Sequence, residues 1–423
     1  MLAKIINKLG IIPKKVISLQ KINDMASIIK KSFILLLLSG LFITAKANDG
    51  AFYSSGNQLI PIVETDIRVQ KEVLKIKRGM KKNEDWDQSY FEVSVYYEFF
   101  NPSAAKDLIV GFEASPPSDG NNLDSYPNHP YIYDFKAVMN GEKLSYEVAH
   151  VPYQHDEDGQ IILKKGGYYK NGRFQNLSLK ECQNPPEIDG DYYDYEWFYY
   201  VYHFQAHFKP GLNIIEHTYR FDGTDDVMTS YAFNYVLTAA NRWANNGIDD
   251  FTLEIDMGDR ESFGIFPYFF KDVNEWTYSV RGRGNFDFLD PYEHEPDDPK
   301  YAVFHVQEGS IVFHKTNFHP DGELFLTKPN FYGIESLEDP FSRMYLDLGP
   351  DYYSLLGDKD DLETEHLRII KNLPFAYHGY VFKTKSLQKY FETTNWYVPN
   401  PDFKGTMNEL NVGEREWVSN WSN

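Results

Sequence analysis

The sequence predicts a mainly β protein, with an antiparallel β-sandwich or barrel-like domain followed by a small C-terminal α-helical domain. Three observations lead to this fold class. Phe, Tyr and Trp make up 17% of the chain, and these residues favour strands and fill cores. Short segments with apolar residues at alternate positions follow one another up to about residue 330. Apolar spacing typical of helices is found only after that point.

The segment 91–99 is the clearest strand. Its odd-numbered positions are all apolar and its even-numbered positions are mostly polar, which is the alternation of a strand with one buried face. Pro102 follows the segment and ends it, because proline has no backbone donor for the sheet ladder. The residues expected on the buried face are Phe91, Val93, Val95, Tyr97 and Phe99.

Other aromatic-rich runs predict the remaining strands. Asn140-Gly141 separates two of them, and because both residues tolerate positive φ, the pair predicts a type I′ hairpin. A second hairpin is predicted around residues 307–310, between strands at 301–306 and 311–318. Further strands are expected at 108–112, 197–208, 212–221, 231–238, 251–257 and 323–327.

The C-terminal part has helical spacing instead. Leu362, Leu367 and Ile370 lie at intervals typical of a helix, and a second short helix is predicted over residues 386–393. A third helix is expected after Thr406, which matches a capping box together with Glu409.

The pattern along the chain divides it into four parts. After about residue 329, Asp-Pro and Gly-Pro pairs and a charged run at 358–365 replace the strand pattern. We expect a leader over residues 1–47, an aromatic-rich β domain over 48–330, a connection over 331–344 and a helical domain over 345–423.

The leader contains the three parts of a secretory signal peptide. Lys30 and Lys31 precede an apolar run at 32–44, and Ala45-Lys46-Ala47 follows it. The run is too short to span a bilayer as a helix, which takes about 20 residues. The signal proper therefore occupies residues 25–47, with cleavage near Ala47. The mature chain is expected to be exported, to the periplasm, the cell surface or the medium, with no transmembrane anchor.

The charge balance excludes a class of partner. The chain has a net charge of −20, and its leader is rich in lysine, so the mature part is still more acidic. Such a surface repels nucleic acid. Its acidity is explained by solubility or, alternatively, by attraction of calcium. The single cysteine, Cys182, cannot form an internal disulfide, and its polar setting before two prolines indicates an incidental thiol.

Three blocks near the C-terminus carry a resemblance to a known family. They read NLPFAYHGYVF at 372–382, LQKYF at 387–391 and WYVP at 396–399. Together they resemble the YARHG domain, a small domain of bacterial exported proteins named after its Tyr-Ala-Arg-His-Gly core. Phe375 stands where that name has Tyr, and Tyr377 stands where it has Arg. An anion bound by that Arg would lose its bidentate partner here.

The N-terminal region is similar, over looser pieces, to uncharacterised exported bacterial proteins. These pieces are NDG at 48–50, FFNP at 99–102, VGF at 110–112 and FNYVLT at 233–238, followed by Trp243. The two resemblances imply a bacterial envelope protein and bring no activity with them.

The YARHG-like motif has a structural and a functional interpretation. Pro374, just before the motif, is expected to break helical hydrogen bonding. In the structural interpretation, Gly379 ends the helix in a left-handed conformation, and the aromatic residues after it fold back onto that helix. Trp396 and Tyr397 then close a small aromatic core. In the functional one, Tyr377, His378, Trp396 and Tyr397 contact a ligand.

Common catalytic and cofactor signatures are missing from the sequence, and we assign no catalytic, cofactor or metal residue. The sequence RGRG at 281–284 is interpreted as a glycine-rich turn unsuited to phosphate. His203 and His207 share a strand face about 13 Å apart, too far for one metal. Acidic clusters at 189–196 and 292–298 are interpreted as exposed loops rather than calcium sites. Trp197, within an aromatic run flanked by carboxylates, is a candidate sugar-stacking residue.

The leading functional hypothesis is an exported bacterial envelope protein with a non-catalytic binding or structural role. Its partner would be a cell-wall glycan or another envelope protein. One alternative is a secreted hydrolase of envelope polysaccharide, which needs two carboxyl groups about 5 to 10 Å apart in a cleft. A second alternative is a calcium-dependent adhesin.

Overall fold

The computed structural model describes the chain in segments separated by gaps. The described residues are 47–55, 58–61, 64–82, 87–114, 129–152, 154–155, 161–162, 168–170, 173–175, 198–223, 229–288, 298–329 and 364–422. Several features noted in the sequence lie outside them, among them the leader up to residue 46, Cys182, Trp197 and the connection at 331–344.

Most of the described strands form three sheets. The first sheet has five strands, in spatial order β2 (Gln58–Pro61), β1 (Ala47–Ser55), β5 (Lys106–Ala114), β13 (Phe198–Phe208) and β8 (Glu147–Pro152). The second sheet has eight strands, in spatial order β18 (Trp276–Tyr278), β21 (Ile311–Phe318), β16 (Ile248–Asp256), β3 (Arg68–Lys82), β4 (Asp87–Asn101), β14 (Gly211–Asp222), β6 (Ile132–Met139) and β7 (Glu142–Leu144). The third sheet has five strands, in spatial order β15 (Thr229–Tyr235), β22 (Leu324–Pro329), β17 (Glu261–Ile265), β20 (Tyr301–Glu308) and β19 (Arg281–Asp287).

The remaining elements are short. Two small hairpins pair β9 (Gln154–His155) with β10 (Ile161–Ile162) and β11 (Tyr168–Lys170) with β12 (Arg173–Gln175). Among the described residues, the 3-10 helices are Thr238–Arg242, Val273–Glu275 and Met407–Glu409. The α-helices in the same part of the chain are α1 (Thr364–Tyr377), α2 (Lys385–Thr393) and α3 (Val412–Asn420). The predicted fold class, a mainly β chain with a small helical C-terminus, is confirmed.

An aromatic core lies on one face of the second sheet and contacts both other sheets. Phe112 of the first sheet lies 4.7 Å from Tyr219 of β14, between ring centroids. Phe233 of the third sheet lies 5.0 Å from Phe91 of β4. Residues of all three sheets belong to one continuous buried cluster. The molecule therefore has two layers here, with the second sheet as one layer and the first and third sheets side by side as the other.

The alternation predicted for residues 91–99 is confirmed. All five odd-numbered side chains are at most 3% exposed and belong to the core, while the even-numbered ones are partly exposed. The Asn140-Gly141 hairpin is also confirmed, because β6 and β7 pair on either side of it and both residues have positive φ, 52° and 85°.

The hairpin predicted around residues 307–310 is wrong. β20 pairs with β17 and β19 in the third sheet, whereas β21 pairs with β16 and β18 in the second sheet. The turn, with Gly309 at φ +90°, carries the chain from one layer to the other. The segment from β13 to β14 makes the same kind of crossing, from the first sheet to the second. Alternation predicts which face of a strand is buried and does not predict its partner.

β3 is the central strand that sequence reasoning missed. It pairs antiparallel with β4 and parallel with β16. All other pairings among the described strands are antiparallel. Three of its lysines lie directly opposite acids of β16. The ion pairs are Lys71 with Asp250 at 3.7 Å, Lys75 with Glu254 at 2.8 Å and Lys77 with Asp256 at 3.3 Å. We call these three pairs the charge ladder. They align the two parallel strands on the solvent face.

The C-terminal helices have an aromatic core of their own. Gly379, two residues after the end of α1, has φ +77°, and its N–H donates to the Ala376 carbonyl at 2.8 Å. The next N–H, of Tyr380, donates to the Phe375 carbonyl at 2.9 Å, and the two rings lie 6.2 Å apart. This is a Schellman ending with its hydrophobic contact, as the sequence predicted. Pro374, by contrast, lies inside α1 and does not end it.

Helix caps at the C-terminus follow the sequence in part. The capping box of Thr406 and Glu409 is confirmed, but it opens the 3-10 helix Met407–Glu409. α3 begins later, and a second capping box of Asn411 and Glu414 caps it. Each box satisfies backbone N–H groups that a helix start leaves unpaired.

The charge ladder gives a prediction about stability. Lys75 holds the pKa of the Glu254 carboxyl below its usual range. Lys75→Glu places like charges opposite each other, and we expect it to lower the free energy of unfolding by about 1 kcal/mol more than Lys75→Gln does. Urea titrations at low salt and in 1 M NaCl measure the difference, which salt screening should shrink. Equal losses for both variants at low salt would contradict the role of the ladder.

Candidate functional site

The C-terminal helical domain contacts β19, the strand at one end of the third sheet. The end strand of a sheet leaves backbone groups unpaired, and natural proteins commonly cover such an edge. Arg281 and Arg283 of β19 alternate with Gly282 and Gly284, so the two pairs of residues face opposite sides.

The glycines of β19 face the aromatic core. A Cβ atom at Gly282 would lie 2.4 Å from Cδ1 of Tyr278, and one at Gly284 would lie 2.9 Å from Cδ1 of Phe304. Side chains are excluded there because the rings already occupy the space. The sequence interpretation of residues 281–284 as a turn is therefore wrong: the glycines belong to a strand that runs close to aromatic rings.

The arginines of β19 hold the C-terminal domain. Arg281 Nη2 donates to Asp402 Oδ2 at 2.8 Å, and its Nη1 donates to the side chain of Asn400. Arg283 Nη1 donates to the carbonyl oxygens of Thr394 at 2.9 Å and Tyr397 at 3.4 Å. We call the two arginines with these partners the arginine clamp.

Arg283 also completes the end of α2. Thr394 is the C-cap residue of that helix, and its last turn contains no basic residue. The carbonyl groups at a helix end carry partial negative charge and favour a cation nearby. The guanidinium of Arg283, from the β domain, supplies that cation. Farther along β19, Asn395 Nδ2 donates to Asp287 Oδ2 at 2.8 Å.

A second contact joins α1 to a turn of the β domain. The hydroxyl of Tyr377 donates to the carbonyl oxygen of Arg260 at 3.1 Å. The guanidinium carbon of Arg260 lies 5.9 Å from the centroid of the same ring, within the range of cation–π attraction. Tyr377 thus contributes to domain docking.

His378 is held inside the C-terminal domain. Its Nε2 lies 2.9 and 3.1 Å from the two carboxyl oxygens of Glu414, and its ring stacks on Phe403 at 4.8 Å. Burial alone would raise the pKa of Glu414. Hydrogen bonds from His378 and the backbone N–H of Asn411, with the nearby charges of His378 and Arg260, hold that pKa below its usual range instead.

Trp396 and Tyr397 lie in the aromatic core of the helical domain, as the structural interpretation expected. Tyr397 is 1% exposed, and its hydroxyl donates to the carbonyl oxygen of Tyr380 at 2.9 Å. Trp396 packs 5.9 Å from Phe391, between ring centroids. The sequence-selected residues Tyr377, His378, Trp396 and Tyr397 thus all lie in the helical domain, where Tyr377 contacts Arg260 of the β domain and the other three have partners within the helical domain. A ligand-binding role for them stays a prediction.

A serine–histidine pair lies on the third sheet beside the clamp. Ser262 Oγ is 2.7 Å from His305 Nδ1, and Arg283 lies opposite His305 on the next strand. Burial and the charge of Arg283 lower the pKa of His305 to about 3. The imidazole is therefore neutral at neutral pH and is a weak base.

The described residues contain neither a candidate metal-binding group nor a candidate membrane-spanning helix. They include no group of three or more His, Cys, Asp or Glu side chains arranged to hold a metal ion. Within the same residues, no helix combines the length and the apolar character that crossing a membrane requires. The acidic clusters at 189–196 and 292–297, Cys182 and Trp197 lie outside the described residues.

The clamp residues were missed in the sequence, although a signal for them was present. Arg281, Gly282, Arg283 and Gly284 alternate with the period of a strand, and this period distinguishes a strand from a turn. Their partners at 394–402 are distant in sequence, so no local pattern could have indicated the pairing.

The clamp gives a prediction about local stability. Arg283→Met removes both hydrogen bonds to the carbonyl groups at the end of α2. We expect amide hydrogen exchange across residues 394–402 to rise by about tenfold, because that segment then opens more often. Arg283→Lys keeps the charge and should give an intermediate rate. Arg68→Met, which removes an exposed arginine from β3, is the control and should leave exchange at 394–402 unchanged. Equal exchange rates at 394–402 in Arg283→Met and Arg68→Met would refute the clamp.

The contact between His378 and Glu414 gives a prediction about pH. The folded state favours the ionised carboxyl, so the contact stabilises the protein above pH about 4.5 and loses its effect as pH falls through the lowered folded pKa. At pH 7 we expect Glu414→Gln to cost about 2 kcal/mol. Urea unfolding between pH 7 and pH 3 should show this cost shrinking with acid. Glu416→Gln, at an exposed position of the same helix, should cost little at any pH; a pH-independent cost for Glu414→Gln would contradict the assignment.

Comparison of the whole chain with curated proteins and solved structures finds only distant similarity. A search of curated proteins finds no match. Among solved structures, a protein from Legionella pneumophila, provisionally described as a nutrient binding protein, shares 18% identity, with a TM-score of 0.41 over 89% of this chain and 98% of that one. An M1 zinc metallopeptidase from Deinococcus radiodurans shares 8% identity, with a TM-score of 0.22 over 63% of this chain and 44% of that one. Likenesses this distant establish nothing about the activity of this chain.

The C-terminal region gives a family match. Residues 351–423 match the family model of the YARHG domain. This range contains α1, α2, α3 and the four residues that the arginine clamp contacts, Thr394, Tyr397, Asn400 and Asp402. The resemblance recognised from the three sequence blocks is confirmed: the C-terminal region is similar to the YARHG domain.

Proposed function

We propose that this chain is an exported protein of the bacterial envelope that binds a ligand and does not catalyse a reaction. The partner class is a cell-wall glycan or another envelope protein. The leader, with its short apolar run and Ala-Lys-Ala end, supports export. The match of residues 351–423 to the YARHG domain supports the same location, because that family occurs in bacterial exported proteins.

The docking of the YARHG domain on β19 is the observation that supports this function best. The arginine clamp uses side chains of β19 to hold carbonyl groups and polar side chains of the helical domain. Tyr377 and His378, the polar candidates of the motif, are engaged in docking and internal contacts. Such an arrangement favours a rigid surface for binding over a cleft with free reactive groups.

A hydrolase of envelope polysaccharide is the alternative from a different class. The pair Ser262 and His305 has the distance of a nucleophile and its base. A general base works best with a pKa near the working pH, and the pKa of His305 is about 3. A glycosidase acid needs a raised pKa, whereas the pKa values of Glu254 and Glu414 are lowered. The low pKa of His305 therefore argues against Ser262 and His305 as a catalytic pair.

A calcium-dependent adhesin is the third hypothesis. It depends on the acidic clusters at 189–196 and 292–298, which the described residues do not cover apart from Asp298. It makes a separate prediction, because a ligand that binds only the folded state raises the unfolding temperature.

Co-sedimentation tests the proposed function. The chain from Asn48 onward is mixed with purified bacterial cell wall and centrifuged, and the supernatant is assayed for released reducing sugars. We expect the protein to pellet with the wall at neutral pH, with no sugar release and no requirement for calcium. Bovine serum albumin, another acidic protein, controls for trapping in the pellet.

Other outcomes of this experiment identify the alternatives. Release of sugar would replace the binding hypothesis with the hydrolase. Pelleting only in millimolar calcium, with a higher unfolding temperature, would support the adhesin. Protein that stays in the supernatant under all conditions would refute wall binding and would leave a protein partner.

A further inference from the structure

The solvent face of the second sheet has a cluster of aromatic and charged side chains at one end. Tyr90 of β4 lies opposite Gly79 of β3 on one side and Asp222 of β14 on the other. In the next row, Glu92 of β4 lies opposite Arg220 of β14. We call the cluster the tyrosine platform; its members are Tyr90, Tyr133, Lys81, Glu92, Asp134, Arg220 and Asp222.

The ring of Tyr90 lies across β3. A Cβ atom at Gly79 would be 2.3 Å from Cζ of Tyr90 and 2.5 Å from its hydroxyl oxygen. The absence of a side chain at Gly79 therefore lets the ring lie against the backbone instead of standing up from the sheet. Tyr90 remains partly exposed in this position.

A bulge in β6 brings Tyr133 and Asp134 to the same face. Ile132 and Phe135 are both buried, so one extra residue interrupts the alternation between them, and the register with β14 shifts at this point. Asp134 is that residue, with φ +57°. Its Oδ2 lies 3.5 Å from Arg220 Nη1, and its side chain is 59% exposed. Bulges re-aim side chains and are common beside functional sites.

The cations of the platform are already balanced by acids. Lys81 reaches across β4 to bond with Asp222, and its ammonium lies 4.3 Å from the centroid of Tyr133. Burial opposes the charge of Lys81, but Asp222 and Tyr133 keep its pKa above the usual value. Arg220 donates to Glu92 at 2.9 Å. Arg220 and Lys81 lie 5.6 and 5.8 Å from the Tyr90 centroid, near the outer limit of cation–π attraction.

These features select a class of ligand. The apolar face of a sugar ring packs on an aromatic ring. Two neighbouring hydroxyl groups of a sugar can form hydrogen bonds with the two oxygen atoms of one carboxylate or with two nitrogen atoms of one guanidinium group. Glu92, Arg220 and Asp134 are 44, 45 and 59% exposed, so they are accessible. A net charge of −20 disfavours an anionic ligand.

We propose that the tyrosine platform binds an uncharged segment of a glycan chain, with Tyr90 stacked on a sugar ring and Glu92, Asp134 and Arg220 bonded to its hydroxyl groups. This inference rests on the proposed function and names the surface that performs it. The glycan lies along the solvent face of the second sheet, away from the arginine clamp on β19.

Binding of soluble oligomers of N-acetylglucosamine, an uncharged probe, tests the platform. Calorimetric titration of the chain from Asn48 should detect binding. Tyr90→Ala should weaken it by about tenfold, because the stacking ring is lost. Tyr90→Phe keeps the ring and should stay within about threefold. Tyr146→Ala is the matched control: Tyr146 is an exposed tyrosine, at 39%, that is not part of the platform, and its loss should leave affinity unchanged.

A second variant separates binding from folding. Asp134→Gly removes the carboxylate and places at φ +57° the residue that tolerates positive φ best. Its unfolding temperature should not fall, while its affinity for the oligomer should drop by about fivefold. If both Tyr90→Ala and Asp134→Gly bind as the wild type does, the platform is not the site.

The cell-wall experiment distinguishes failure of this inference from failure of the proposed function. Wild-type protein that pellets with cell wall, together with a Tyr90→Ala variant that pellets equally, would overturn the platform and leave the envelope role intact. Wild-type protein that binds neither the wall nor the oligomers would overturn both. Loss of pelleting in Tyr90→Ala and Asp134→Gly, with Tyr146→Ala unaffected, is the result we expect.

Discussion

The aromatic core on one face of the second sheet is the constraint on which the rest of the structure depends. That face contacts the first sheet through rings such as Phe112 and the third sheet through rings such as Phe233. To build two layers the chain passes from one to the other, and it does so in the short turns before β5, β14, β17 and β21. Burial of each large side chain contributes about 2 kcal/mol. The opposite face of the second sheet is left for solvent and for charged groups.

The helical domain is attached by a different kind of interaction. Its own core is apolar, and the described contacts to β19 are made by guanidinium groups, amides, carboxylates and carbonyl oxygens. Hydrogen bonds from charged groups contribute about 2 kcal/mol each when their partners are well placed. Arg283 has such partners because α2 ends in carbonyl groups that need a donor. Docking therefore fixes orientation through directional bonds, which apolar burial does not provide.

The features that sequence predicted are those determined by neighbouring residues. Alternation over residues 91–99 predicted a strand, the tolerance of Asn140-Gly141 for positive φ predicted a hairpin, and Gly379 predicted a helix end; all three are observed. What failed depended on distant residues. The interpretation of 281–284 as a turn failed because the need for glycine at position 284 comes from the ring of Phe304, on the neighbouring strand β20. β3 was missed because its exposed lysines are balanced by acids of β16, some 180 positions further along the chain. The arginine clamp likewise joins residues more than 100 positions apart.

The distribution of basic residues connects stability with ligand choice. Acidic residues outnumber basic ones, 62 to 42, and several buried acids pair with cations from other elements. Glu261 of the third sheet binds Arg78 of the second at 3.1 Å, and Glu113 of the first sheet binds Arg242 at 2.6 Å. A buried carboxylate without a cation would cost several kcal/mol, roughly 3 to 5, so these cations are required where they lie. Because these cations are paired with buried carboxylates, the excess of acidic residues lies at the surface. A negatively charged surface binds an uncharged partner more readily than an anionic one.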